Sequence, residues 1–404
     1  MHAKEDILKL KDFFTVAEIP GYLLLIMPAV SFFTSRQRDA TAHASVDTSA
    51  FIQILFALII FIIAFYFLFL SKKDHPVLLF RSPQKYLFIY ILICFVSTIW
   101  SSDIFITGYR AFESLIYLLL ITLVVQRLIS RLSYQNTIEW AILWITWSIF
   151  WSVIGYVKWA GIDYLLWPFR SARLSVPIFF FIAIFLTKRR YLKYLIIAFT
   201  LLSFSNKVFF GIAFGMFGFF FGNIKYRAIF LIFGFSIAIV FAVWGEAFLQ
   251  NTLFYGREGI GMEYTSGRNM IWQSSWDYYM QKPIFGHGFV AGENDFLFRN
   301  FKRVITTHNF ILSGLVGTGI VGTFFLIAYF ISAFKTAISS IFENGKWKIA
   351  FVSTIIMATI ISFTAPGIGA RVYGSWTPVV FVITLISGLQ FKAEESIDRN
   401  DKGY

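Results

Sequence analysis

FIQILFALIIFIIAFYFLFL, residues 51–70, runs for twenty residues without a charged side chain. At 1.5 Å of rise per residue a helix of that length spans about 30 Å, the thickness of a bilayer's hydrocarbon core. A helix that is apolar on every side belongs in a membrane or at the centre of a large core. The rest of the chain favours the membrane: 58% of its 404 residues are hydrophobic, 14% are charged, and 51 are phenylalanine. Too little polar surface remains to coat a soluble body of this size, so a bilayer is the expected solvent and membrane lipids the expected surroundings.

Further runs predict an all-α, polytopic fold of twelve spans. They lie near 13–33, 51–70, 87–104, 111–125, 139–157, 174–187, 191–204, 208–223, 228–248, 310–334, 349–364 and 376–391. Ser205-Asn206-Lys207 is the only hydrophilic break between the seventh and eighth, so this pair reads either as two short spans or as one interrupted element. Gly211, Gly215, Gly218 and Gly222 recur at mostly helical spacing in the eighth and predict close approach of a neighbouring helix. Pro20-Gly21 interrupts the first run, which is longer than a signal peptide's core. Ala42-His43-Ala44 after it resembles a cleavage site, but an uncleaved helix is the expectation.

The net charge of +13 comes from short basic clusters between apolar runs, so it reads as an orientation signal and not as a nucleic-acid surface. Lys72, Lys73, Arg81 and Lys85, then Arg127 and Arg131, then Lys188, Arg189, Arg190 and Lys193, fall on alternate sides of the predicted spans from the poorer loops holding Arg110, Arg170, Arg173, Lys207 and Arg371. Basic loops stay in the cytoplasm, which predicts both termini inside and the long loop at 249–309 outside. The expected division is a helix bundle over 1–248, the outer loop over 249–309, further spans over 310–391, and a cytoplasmic tail over 392–404. The lone Cys94 excludes an intrachain disulfide, and no zinc-type Cys/His cluster is present. Glu18, Glu113, Glu139 and Glu246 fall near span ends. The absence of midplane acids argues against an ion-coupled transporter.

The polar residues concentrate in the outer loop. From Met270 a helical pattern places Trp272, Trp276, Tyr279 and Met280 on one face until Pro283 stops it, with Thr265 or Ser266 as a cap. An aromatic face of that kind predicts a helix lying on the membrane surface, with Arg268 near the headgroups. An anion there would meet a guanidinium together with the free N–H groups of a helix start. A turn-rich stretch, Pro283-Ile284-Phe285-Gly286-His287-Gly288-Phe289, follows, then a basic patch of Arg299, Lys302 and Arg303. The loop closes on Thr306-Thr307-His308-Asn309.

His308-Asn309, nine residues, then Gly319-Ile320-Val321-Gly322 resembles the His-Asn signature of the O-antigen ligase and Wzy-type polymerase superfamily. Ser266-Gly267-Arg268-Asn269-Met270-Ile271-Trp272 and the segment 283–288 also look like that family's outer loop. The resemblance implies a metal-independent, inverting glycosyltransferase with no cofactor, acting at the periplasmic face of a bacterial inner membrane. Its donor would be a glycan on undecaprenyl diphosphate. Its acceptor would be a sugar hydroxyl, on lipid A-core for a ligase or on another lipid-linked repeat unit for a polymerase of O-antigen or exopolysaccharide. A chain-length regulator would be a possible partner.

In that reading His308 accepts the acceptor's proton and Arg268 grips diphosphate oxygens, with Asn309, Gly319 and Gly322 as supporting motif positions. Family ligases carry a second essential arginine at the outer end of an earlier helix, where this chain has Lys207. A lysine brings the charge without the forked geometry, and this departure tilts the expectation toward polymerase. Arg170 and Arg173 are expected along the diphosphate path, and Arg110 and Arg371 face the same side. The rival reading, a polysaccharide permease or flippase, draws only on the number of spans.

Overall fold

The computed structural model describes residues 18–34, 48–71, 76–160, 177–202, 206–221, 225, 227, 228, 232, 268–301, 306–339, 342, 345–364 and 376–401. Among these every regular element is helical. In chain order they are α1 (Glu18–Thr34), α2 (Thr48–Phe65, continued by a π turn at Tyr66–Leu70), α3 (Gln84–Val96, continued by a 3-10 turn at Ser97–Trp100), α4 (Ile104–Arg131), α5 (Tyr134–Ala160), α6 (Phe180–Leu186) and α7 (Arg190–Leu202). Then follow α8 (Asn206–Gly215, continued by a 3-10 turn at Met216–Phe221), α9 (Arg268–Tyr279), α10 (Ala291–Phe301), α11 (Phe310–Ile338), α12 (Gly345–Thr364) and α13 (Trp376–Asp401).

Among the described residues, four helical stretches are long and apolar enough to cross a bilayer, Phe51–Leu70, Ile104–Arg131, Phe310–Ile338 and Gly345–Phe363, with shorter apolar ones at Glu18–Pro28, Gln84–Trp100, Pro177–Leu186 and Gly211–Phe221. This is a helical membrane protein. The described residues do not carry the count to twelve, and the expected ninth span at 228–248 lies almost wholly outside them. The seventh and eighth expected spans are two helices, α7 ending at Leu202 and α8 beginning at Asn206.

Burial ranks the helices by position. In α4, 83% of the spanning window is buried against 22% in the Phe51–Leu70 stretch, so α4 is central and α2 peripheral, its outer face left to lipid. Asp103 starts α4 by accepting the Ile106 N–H at 2.9 Å. Polar side chains inside the bundle turn back on their own helices, Thr318 Oγ1 donating to Gly314 O and Thr323 Oγ1 to Gly319 O. Such bonds satisfy these two hydroxyls within an apolar interior. The glycines of α8 do what their spacing predicts: a Cβ on Gly211 would touch Met357, and one on Gly215 or Gly218 would run into Phe181 or Ser353, so α8 and α12 pack with little between them.

Glu18 and Glu139 do lie near helix starts, but the expectation that Glu113 lies near a span end needs correction. α4 begins at Ile104 and not near 111, so Glu113 sits more than two turns inside it, buried and paired with Arg110 at 2.7 Å. Arg110 is therefore a helical residue with an acidic partner and not a loop residue. Glu139, also buried, pairs with Arg189 at 2.7 Å. Neither carboxylate is left as an isolated buried charge, which would be far costlier than the pair.

The bundle has two unlike ends. At one, Glu18 bonds to Arg127 and Arg131 at 2.9 and 2.6 Å, Arg81 to Glu394 at 2.8 Å, and Lys392 Nζ to the Leu132 carbonyl at 2.6 Å. The guanidinium of Arg127 also lies over the Phe67 ring, 4.2 Å from its centroid. The other end carries the start of α4, the start of α11 and the α9–α10 unit packed onto both.

Candidate active site

The polar loop forms a folded helical hairpin. α9 and α10 are joined by a turn over 280–290, and the predicted stop before Pro283 is realised with α9 ending at Tyr279. The predicted aromatic face is split. Tyr279 is buried with Ile271 and Ser275, whereas Trp276 and Met280 are exposed. Trp272 turns inward and its Nε1 donates to the Thr307 carbonyl at 2.8 Å. Helical spacing put these residues on adjacent turns, but α11 decides which of them meets protein and which meets the surroundings. The expected caps, Thr265 and Ser266, lie outside the described residues.

The turn docks into a break in α11. Gly319 departs from helical geometry with φ 66° and ψ −168°. The amides of Ile320 and Val321, freed from their own helix, donate to the carbonyls of Pro283 and Ile284, at 2.9 and 3.3 Å. In return His287 N–H and Gly288 N–H donate to Val316 O and Gly317 O, at 2.8 and 2.9 Å. Two backbones come so close that neither tolerates a Cβ: one on Gly286, whose φ is also positive, would lie 2.6 Å from Gly319 N, and one on Gly319 would overlap Ile284 O. The motif glycine at 319 is thus a consequence of geometry, and Gly322 leaves room for the Thr318 side chain one turn before it. Beyond the turn, Phe289 N–H donates to Ser97 Oγ and Phe289 O accepts from Thr107 Oγ1, at 3.0 and 2.9 Å, while Trp100 Nε1 donates to Phe285 O at 3.2 Å. These bonds tie the hairpin to α3 and α4.

His287 and His308 have different environments. His287 is buried, stacked 3.7 Å from the Tyr278 ring, and its Nε2 donates to the Tyr278 carbonyl at 2.8 Å. Burial lowers its pKa from 6.5, opposed in part by that hydrogen bond, so the neutral imidazole is favoured and serves structure. His308 is half-buried and sits just ahead of α11 with φ 54°, a left-handed conformation that costs a side-chain-bearing residue roughly 1–2 kcal/mol. Its neighbours hold it there. Asn309 caps α11, its Oδ1 accepting from Ile311 and Leu312 N–H at 3.0 and 3.2 Å. Thr307 is fully buried, its N–H donated to Glu293 Oε1 at 2.7 Å and its carbonyl taken by Trp272. Thr306 Oγ1 accepts the His308 N–H at 3.2 Å. Strain at one residue, fixed by bonds on both sides, is the pattern of a preorganised site.

Packing brings the other expected cations to the same end. Phe310 meets Phe363 edge to face with ring centroids 4.9 Å apart, so the start of α11 is level with the end of α12. Gly211 faces Met357 and Ile361, so the start of α8, where Lys207 is the second residue, reaches that level too. Arg268 is the first residue of α9, one turn before the Trp272 that binds Thr307. His308, Lys207 and Arg268 therefore belong to three helix starts at one end of the bundle. Arg170, Arg173 and Arg371 lie outside the described residues. No local signal marks Glu293: it stands in a polar run, Gly292-Glu293-Asn294-Asp295, and only the tertiary fold buries it.

Fold and site together define a polytopic helical membrane protein with a rigid polar site at one end of its bundle. Residues 191–327, from α7 past the break in α11, match the family model described as O-antigen ligase. That match covers about a third of the chain and takes in Lys207, Arg268, His308, Gly319 and Gly322, so over this stretch the chain is similar to the O-antigen ligase family. No curated protein matches the chain.

Proposed function

We propose that this protein transfers a glycan from undecaprenyl diphosphate to a sugar hydroxyl at the periplasmic face of the inner membrane, with an acceptor on another lipid-linked repeat unit. The family match supports O-antigen ligase or polymerase chemistry in general. The observation that supports the assignment of residues is that the helix starts of His308, Arg268 and Lys207 lie at the same end of the bundle.

In the proposed reaction His308 takes the proton of the acceptor hydroxyl as its oxygen attacks the anomeric carbon from the face opposite the phosphate. The bond from that carbon to the phosphate oxygen breaks, its electron pair leaves with the lipid diphosphate, and the configuration inverts. Arg268 and Lys207 hold the negative charge as it grows, which makes the protein's own cations the electrostatic catalyst. Lys207, where family ligases carry arginine, favours polymerase. The second reading, ligation to lipid A-core, is favoured by the description of the matching family. Incubating the purified protein with a lipid-linked glycan, with and without lipid A-core, tests both. Longer lipid-linked chains mean polymerase, product on the core means ligase, and no transfer in either case refutes the proposal.

A further inference from the structure

We infer that Glu293 is a positioning residue for the transfer reaction, holding the segment that carries His308; this rests on the function proposed above. Glu293 is the third residue of α10 and only 2% exposed. Its Oε1 accepts two hydrogen bonds, from the Thr307 N–H at 2.7 Å and from Ser313 Oγ at 2.7 Å. Ser313 lies on the first turn of α11 and its Oγ is also 2.8 Å from Thr307 Oγ1. One carboxylate oxygen thus ties α10 to both sides of His308, the residue before it and the helix after it.

Proton bookkeeping gives the triangle a direction. A carboxylate only accepts, so the single hydroxyl hydrogen of Ser313 goes to Glu293. Ser313 Oγ is then free to accept from Thr307 Oγ1, whose alternative acceptor is Asn309 O at 3.1 Å. Thr307 Oγ1 in turn lies 3.4 Å from the Asn309 N–H. Every polar atom of Thr307 is therefore engaged, and all of these bonds converge on Glu293, Trp272 and the α11 cap. Removing the carboxylate strands the fully buried Thr307 N–H, whereas the Ser313 hydroxyl can turn to Thr307 Oγ1, whose own hydrogen then goes to Asn309 O. The cheapest relief is for the 306–309 segment to shift, which releases the left-handed conformation of His308. A displacement of about 1 Å at a reacting group can cost on the order of a hundredfold in rate.

The test compares Glu293→Gln, Glu293→Ala and Ser313→Ala in the full-length protein in lipid nanodiscs. Glutamine keeps an acceptor oxygen and should keep kcat within about threefold. Alanine should lower kcat by roughly ten- to a hundredfold with KM for the lipid-linked donor within about twofold, because the donor's cations are untouched. Ser313→Ala, which leaves the Thr307 bond in place, should fall between them. In parallel, hydrogen exchange at the 306–309 amides should quicken at least tenfold in Glu293→Ala and stay near wild type in Glu293→Gln. That arm needs no activity, so it separates the two ideas: faster exchange in a protein whose wild type transfers no glycan overturns the functional reading and leaves the positioning intact. Unchanged exchange, or full kcat in folded Glu293→Ala, overturns the positioning. If Glu293→Ala does not fold, wild-type kcat and exchange in Ser313→Ala overturn it instead.

Discussion

Replacing Gly319 by alanine tests whether the break in α11 holds the α9–α10 hairpin. At φ 66° and ψ −168° the position is open almost only to glycine, and an L side chain there costs about 1–3 kcal/mol. A Cβ would also overlap the Ile284 carbonyl and approach Phe285 N to 2.6 Å. Backbone atoms cannot rotate aside as the tip of a side chain does, so the turn must move. Four backbone hydrogen bonds join it to α11, and at about 1 kcal/mol each their loss forfeits about 4 kcal/mol. Alanine returns about 1 kcal/mol through helix propensity if α11 straightens. The bonds oppose undocking in wild type and variant alike; what alanine adds is about 1–3 kcal/mol of strain in the docked form and the propensity gained on release, together about 3 kcal/mol, a shift of roughly a hundredfold toward the undocked hairpin. Hydrogen exchange on the protein in nanodiscs reads this directly: the amides of 286–288 and 320–321 should exchange about a hundredfold faster, while those of α4 stay protected. Undiminished protection at 286–288 would show that docking does not depend on the break, and the reasoning would fail.

Three further outcomes follow from the same geometry. His308→Ala should lose glycan transfer by at least a hundredfold while remaining folded in the membrane, and an active variant would remove the proposed base. Lys207→Arg should keep transfer and Lys207→Ala should lose it by tenfold or more; wild-type activity in the alanine variant would take Lys207 out of the site. The buried His287 should make the hairpin acid-sensitive. Its folded pKa lies below 6.5, so at lower pH the unfolded chain binds more protons than the native one. The contribution to stability is complete above about pH 6.5 and is lost as the pH falls through the depressed value. Protection at 286–290, measured relative to the intrinsic exchange rate at each pH, should therefore fall on acidification in the wild type and respond less in His287→Gln, with equal slopes counting against the role.

The residues that were legible in sequence are those whose behaviour is set locally. Transfer of apolar side chains from water made Phe51–Leu70 a spanning helix whatever surrounds it. Pro283 ended the helical pattern after Tyr279 because its ring cannot continue a helix, and the apolar run from 310 placed the start of α11. The glycines of α8 could be read as a contact face, since only their spacing mattered, though the sequence named no partner for them.

Tertiary structure alone decided the rest. Nothing near Gly319 announces that the amides beside it will bind a turn more than thirty residues earlier, and nothing in Gly292-Glu293-Asn294-Asp295 distinguishes the buried carboxylate from a solvated one. Arg110 read as a loop cation until α4 proved to begin at Ile104 and to bring Glu113 beside it. The physical reason is the range of the interactions. Hydrophobicity, capping and helical spacing act within a turn or two of the residue that carries them, so they can be read along the chain. The hydrogen bonds that hold His308 join three helices through buried groups, and their energy exists only once those helices have excluded water between them.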